Sequence, residues 1–209
     1  MPLGPAIRAL FGSYEPQIAA AYRAIYVDLD ALGEQLLRWV PQASSILEIG
    51  CGEGAVTQRL AVLYPQARIT GIDITPRLGR LYNGERGRID FRQVSAETVA
   101  AEHPGSFDLV LLGDVLHHVP LAARRSLLSA ARETLAPDGH FVFKEWLRSR
   151  TPIHWACTAS DRYLTGDDVS YLSKTEAEDL IEQVFYPGAI RDEVQIRPWN
   201  NNIAWLISQ

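Results

Sequence analysis

Apolar and polar positions alternate along this chain in two rhythms, and the rhythms trade places. Ile18, Tyr22, Ile25, Leu29, Leu32, Leu36 and Val40 recur at three- and four-residue steps. That spacing predicts an amphipathic helix or helix pair, broken near Gly33 and ending before Pro41, behind an irregular arm that runs to about Tyr14. A short apolar strand opens at Ile46, and Val56, Leu60 and Leu63 return to helical spacing until Pro65 stops it. Strands are predicted at Arg68 to Ile74, at Ile89 to Val94, and at Phe107 to Leu112, which is nearly all apolar as a central parallel strand would be. Thr75-Pro76 predicts a short helix, with a cap residue followed by proline at the first helical position. Pro120 opens a helix with Leu121, Leu128, Ala131 and Leu135 on one face. Pro137-Asp138-Gly139 reads as a turn, and His140 to Trp146 as a fifth strand.

From Leu147 to Leu172 the pattern is lost, and the stretch is rich in Trp, Tyr, Arg, Asp and Thr. A segment this long without clear elements reads as a lid or binding loop. Ser173 with Glu176, or Thr175 with Glu178, then offers a capping box for a helix running to about Tyr186. Two strands close the chain, Ala189 to Arg197 and Ile203 to Ser208, joined by the polar PWNNN turn of an antiparallel hairpin. Strands alternating with helices imply an α/β fold with a mostly parallel sheet and right-handed crossovers. Ligands of such sheets bind beyond the carboxyl ends of the strands, where the strand order reverses.

The stretch at that place is Ile46 to Gly54, ILEIGCGEG, with glycine at Gly50, Gly52 and Gly54. Strand, glycine turn and helix N-terminus make a nucleotide cradle. Gly50, Gly52 and Ala55 also satisfy the looser G-x-G-x-x-A dinucleotide pattern, so the turn alone leaves the nucleotide open. Asp73 lies 23 positions after Gly50, where a carboxylate can accept from both ribose hydroxyls. Glu48 is a carboxylate in an otherwise apolar strand, costly unless it is satisfied.

Composition narrows the partners. A net charge of −5 over 209 residues lacks a general basic footprint for nucleic acid, although Arg77, Arg80, Arg86 and Arg88 cluster locally. Two cysteines, Cys51 and Cys157, form neither a disulfide framework nor a zinc pattern, and fit a reducing, cytoplasmic setting. No secretory signal and no membrane-spanning run is read, and no cluster has metal-ligand spacing.

Four stretches in order resemble the class I S-adenosylmethionine (SAM) dependent methyltransferases. ILEIGCGEG is similar to their first motif, ITGIDIT to the second, FDLVLLGDVLHHVP to the fourth and HFVFKEW to the strand after it. The resemblance covers about half the chain, from Ile46 to Trp146. It implies a Rossmann-like, doubly wound, seven-stranded sheet, mostly parallel with an antiparallel C-terminal hairpin strand and helices on both faces. The chain is then a single domain over residues 1–209, with an N-terminal helical cap (1–40) and an acceptor-side insert (147–172). The implied cofactor is SAM, contacted by Glu48, Gly50, Cys51, Gly52, Gly54, Asp73, Ile74, Gly113 and Asp114. The third motif departs from the family, which often has an acid for the adenine amino group. Here QVSAET offers Ser95, the backbone of Ala96, or Glu97 by a register shift. GDVL after the fourth strand argues against adenine or glutamine-amide methylation, because the Asn/Asp-Pro-Pro-aromatic motif of those enzymes is missing.

For a hydroxyl or acidic-carbon acceptor a general base is needed, and the candidates are His118 and His117, directly after the fourth strand. Candidate acceptor-pocket residues are His154, Arg162, Tyr163, Lys144, Trp146 and Tyr14, with Tyr22 or Tyr26 as further lid residues. Lys144 and Glu145 are expected to form an ion pair with each other. The function expected is methyl transfer to oxygen, carbon or nitrogen of a small molecule, such as a natural-product or quinone-like metabolite, by a monomer or homodimer without nucleic-acid or membrane partners. The alternatives are a non-catalytic SAM-binding regulator and an NAD-dependent oxidoreductase.

Overall fold

The computed structural model describes residues 25–162 and 169–208. The expected arm and first helix, with Tyr14 and Tyr22, lie outside the described residues, as does Tyr163.

The first described helix, α1, is Leu29–Trp39. Asp28 caps it, its side chain accepting from the backbone N–H of Asp30 and Ala31. The helix runs unbroken through Gly33, contrary to expectation. A Cβ at Gly33 would stand 3.0 Å from both Arg59 Nε and Leu63 Cδ1, so this glycine permits close packing against the next helix. That helix is α2, Ala55–Leu63, between strands β1 (Ser45–Ile49) and β2 (Arg68–Asp73). Strand β3 (Ile89–Gln93) leads to α3 (Ala96–Glu102), and β4 (Phe107–Gly113) to a single 3₁₀ turn at Leu116–His118 and α4 (Leu121–Thr134). Then follow β5 (Leu135–Trp146), α5 (Pro152–Ser160), α6 (Lys174–Val184), β6 (Ile190–Gln195) and β7 (Asn202–Ser208).

The seven strands form one sheet in the order β3-β2-β1-β4-β5-β7-β6. Strands β1 to β5 pair in parallel, and β7 runs antiparallel to both β5 and β6. The order reverses between β1 and β4, as expected, so the glycine turn after β1 opens at the reversal. Apolar cores lie on both faces. One joins α1 and α2 to Ile46, Leu109 and Val142; the other joins α3, α4 and α6 to Leu47, Val110 and Phe141. Their alternation along each strand is the two-residue period of a pleated sheet.

Four expectations are corrected. Thr75-Pro76 starts no helix: residues 74–81 are bends and turns. Asp73 Oδ1 accepts from Thr75 N, and Gly79 N and Leu81 N donate to the carbonyls of Gly52 and Glu53, which folds the segment back over the glycine turn. Pro137-Asp138-Gly139 lies inside β5 as a bulge, because Leu135 pairs with Phe107 and His140 with Leu109. A Cβ at Gly139 would sit 2.7 Å from the Phe107 carbonyl, so the bulge requires glycine. In α4, Leu121 is 70% exposed and Leu135 belongs to β5; the buried side is Arg124, Leu128, Ala131 and Thr134. Finally, α5 stands within the stretch read as patternless, capped by Thr151 with Pro152 at its start. The capping box of Ser173 and Glu176 is present as expected.

Candidate functional site

The cradle begins with Glu48, buried in β1 opposite Gly71 and Leu111. Its carboxylate accepts from the Thr57 hydroxyl at 2.5 Å, tying strand to helix across the turn. Burial pushes Glu48 up to about 7, against the Thr57 hydrogen bond and with help from the Asp73 charge. Gly50, Gly52 and Gly54 all have positive φ. At Gly50 a Cβ would fall 2.2 Å from Val115 Cγ2, so the β4 exit loop occupies the space a side chain would need. Cys51 is buried, and burial with the Glu48 and Asp73 charges pushes its thiol up, which removes it as a nucleophile. Gly71 leaves room for it, since a Cβ there would stand 3.1 Å from Cys51 Cβ.

Asp73 ends β2 with its carboxylate turned to the turn. Oδ2 accepts from Gly52 N at 2.9 Å and Oδ1 from Thr75 N at 2.9 Å. Each oxygen keeps a further acceptor site. Ile74 beside it is 76% exposed, an apolar surface at the mouth of the cradle. A carboxylate with acceptor capacity, an exposed apolar residue and a turn with glycine at Gly50, Gly52 and Gly54 together fit a nucleoside, as the resemblance implies. In the third motif Ser95 caps α3, accepting from Thr98 N at 3.3 Å. Ala96 is buried. Glu97 accepts from Ser126 of α4 at 3.2 Å. Burial alone would raise its carboxyl, but hydrogen bonds from its own backbone, Ser95 and Ser126 hold it below the ordinary range.

The second half of the site lies where β4 and β5 end. The expected ion pair between Lys144 and Glu145 does not form, because successive strand residues point to opposite faces. Lys144, buried, donates instead to the carboxylate of Asp114, whose own N–H bonds the Lys144 carbonyl at 2.9 Å. Asp114 takes φ 54°, the left-handed region, and so turns the chain sharply after Gly113. On the other face Glu145 is fully enclosed and meets His117 Nδ1 at 2.5 Å. Its carboxylate also accepts from Leu116 N at 2.9 Å and Trp146 N at 3.1 Å. Burial would lower His117, yet the Glu145 charge and hydrogen bond, with Asp114 and Asp161 behind them, raise it above the ordinary histidine value. His118 is exposed, its ring 4.1 Å from that of His117.

Trp146 and His154 are both buried, and the indole N–H donates to His154 Nδ1 at 3.0 Å. Burial and the Arg148 charge lower His154, while Asp161 opposes them. Tyr171 lies between the two histidines and donates to Asp161. The Tyr171 strand of chain is held in place by Ser170 N on the His117 carbonyl (2.9 Å) and by Arg124 on the Ser170 carbonyl (2.5 Å). Thus Tyr171 joins His117 to the Trp146–His154 pair, Lys144 pairs with Asp114, and Arg162 is exposed beyond α5. Sequence reasoning missed Thr57, Gly71, Asp161 and Tyr171. Only the Thr57 role was signalled, by a hydroxyl in the first turn of the helix after an acid-bearing strand.

Residues 47–141 match the family profile described as a methyltransferase domain. The ubiquinone biosynthesis O-methyltransferase of Bordetella parapertussis is 34% identical over 125 residues, 55% of this chain and 50% of that protein. The protein of the same name from Xanthomonas euvesicatoria is 38% identical over 115 residues, 53% of this chain and 46% of that one. The chain therefore spans about half the length of the curated relatives it matches. Among solved structures, the N-methyltransferase NodS of Bradyrhizobium japonicum, in complex with S-adenosyl-L-homocysteine, superposes with a TM-score of 0.62 at 22% identity, over 89% of this chain and 90% of that one. That likeness bears on the fold, and the sheet order carries the same message. Over residues 47–141, which hold the glycine turn, Asp73 and the β4 exit loop, this chain is similar to a methyltransferase domain.

Proposed function

We propose that this protein transfers the methyl group of SAM to a hydroxyl of a small-molecule acceptor, with His117 as general base. The observation that carries the proposal is the enclosed His117–Glu145 pair at the carboxyl edge of the sheet, 2.5 Å apart, next to the β4 exit loop that packs on the glycine turn. When bound, SAM supplies an electrophilic methyl group on a sulfonium leaving group. Glu48, the glycine turn and Asp73 would hold it, with Ile74 against its base.

The rest is done by the chain's own residues. Glu145 accepts from His117 Nδ1, which places the neutral ring's lone pair on Nε2, ready to take a hydroxyl proton. The same carboxylate stabilises the imidazolium that results. Tyr171, stacked on His117 at 4.8 Å, shields one face of the ring from water. The names of the curated relatives, O-methyltransferases, support an oxygen acceptor. The net charge of −5 and the missing basic footprint support a small molecule over a nucleic acid.

The test is incubation with SAM and a panel of phenols, carboxylic acids, amines and acidic-carbon compounds, with mass spectrometry locating the added methyl. Methyl on oxygen and a loss of about 10²–10⁴-fold in kcat for His117→Ala, at unchanged SAM affinity, are expected. Methyl on nitrogen or carbon, or an undiminished His117→Ala, would sink the reading.

A further inference from the structure

Two imidazoles flank one tyrosine ring. His117 stacks on Tyr171 with centroids 4.8 Å apart and planes 17° from parallel, and His154 meets the same ring edge-on, 4.8 Å and 72°. Both engage through Nδ1, in opposite senses. The Nδ1 of His117 faces a carboxylate, which accepts. The Nδ1 of His154 faces the indole N–H of Trp146, which can only donate. That nitrogen of His154 must therefore be the acceptor, and the ring proton of the neutral form sits on Nε2.

Neither Nε2 makes a hydrogen bond among the described residues. Nor is either one of the enclosed, unpartnered side-chain atoms there, which are Arg59 Nε, Asp114 Oδ1, Arg124 Nη1, His140 Nδ1 and Asn202 Oδ1. Among the described residues neither Nε2 is taken up by a partner: one offers a lone pair, the other a proton. The arrangement is held firmly. Trp146 is buried and edge-packed by Tyr26 at 5.6 Å, and the Thr158 hydroxyl bonds the His154 carbonyl at 2.9 Å. Burial and the Arg148 cation lower His154 below the ordinary histidine value, against the opposing Asp161 charge.

We propose that His154 is a specificity-determining donor, its Nε2–H bonding an oxygen of the acceptor other than the one methylated. The favoured acceptors then carry a hydroxyl together with a second hydrogen-bond-accepting oxygen. This rests on the reading of the His117 pocket as the acceptor site. A compound lacking the second oxygen leaves a desolvated donor unpaired, which disfavours it.

The tautomer is read directly from ring ¹⁵N shifts of labelled protein with S-adenosylhomocysteine: a pyridine-like Nδ1 and a pyrrole-like Nε2 on His154, a bias that Trp146→Phe removes. Binding is then titrated with phenol, catechol, resorcinol and hydroquinone. At least one of the three dihydroxybenzenes should bind about tenfold more tightly than phenol, and in His154→Phe the affinities for that compound and for phenol should come within about twofold of each other. His154→Gln, which keeps an N–H donor, should retain part of it. A pyrrole-like Nδ1, equal losses for phenol and the dihydroxybenzenes, or no preference in the unaltered protein would overturn the assignment. If His117→Ala transfers methyl at full rate while His154→Phe still erases the preference, the base assignment fails and that of His154 stands.

Discussion

Glu145 Oε1 and His117 Nδ1 stand 2.5 Å apart although 28 residues separate them in the chain. The contact exists because β4 and β5 are neighbours in the sheet, and because Glu145 is the β5 residue on the side where the 3₁₀ turn after β4 folds down. It makes a buried charge useful: the carboxylate has three donors around it, so the cost of enclosing it is met by hydrogen bonds.

This pair sets the pH dependence. A base must be unprotonated, so kcat should rise with pH, through a limb above the ordinary histidine value of 6.5 because His117 is raised. Glu145→Gln removes the charge that raises it, so the limb should move to lower pH while kcat falls. For stability the sign is opposite: a raised histidine stabilises the fold fully below 6.5 and loses that contribution as pH climbs through the folded value. Rate–pH profiles of both proteins check the first statement, and urea titrations the second.

Glu48 behaves differently. It is protonated in folded and unfolded chains below 4.5 and ionised in both above about 7. Between these values the folded chain holds the extra proton, so stability of the cofactor-free protein should fall as pH rises, by about 3 kcal/mol in all. Glu48→Gln should flatten that slope in denaturant titrations. A cationic ligand favours the ionised carboxylate, so SAM affinity should increase with pH over the same window, and calorimetry of Glu48→Gln should show little such increase.

Asp73 is the proposed ribose contact. Asp73→Ala should weaken SAM binding by at least about thirtyfold, since charge-assisted hydrogen bonds are lost together. The Gly52 N–H loses its acceptor as well, so some loss will come from the turn itself. Asp73→Asn, which keeps one carbonyl acceptor, should fall between. Unchanged affinity in the alanine variant would remove Asp73 from the cofactor site.

Gly50 links the two halves of the site. Gly50→Ala places a Cβ 2.2 Å from Val115 Cγ2 at φ 78°. Overlap and backbone strain should together destabilise the protein by about 2 kcal/mol or more. Val115→Ala in the same chain should recover the overlap component but leave the strain. Thermal unfolding of the three variants separates the components.

Thr-Pro pairs show where local reading ends. Thr75-Pro76 and Thr151-Pro152 carry the same helix-start chemistry, yet only the second opens a helix. After Thr75 the carboxylate of Asp73 and the carbonyls of Gly52 and Glu53 capture the backbone N–H groups that a helix would have used. Tertiary partners outbid the cap. The same holds at Pro137-Asp138-Gly139, where turn residues became a bulge because strand pairing continues on both sides.

By itself the sequence determined the sheet, its seven strands and the glycine turn at the reversal of strand order, because apolar period and turn chemistry act over a few residues. It also carried the ordered motifs, from ILEIGCGEG to GDVLHH, whose resemblance pointed to SAM, because each motif is a run of consecutive residues. Only the tertiary structure decided how the charged residues pair. Lys144 with Asp114, Glu145 with His117, and Trp146 with His154 depend on which strand face and which distant loop each side chain meets. The glycine turn is a local object, written in consecutive residues. The acceptor side is assembled from the ends of β4 and β5, from α5 and from the chain at Tyr171, and long-range packing alone brings those together.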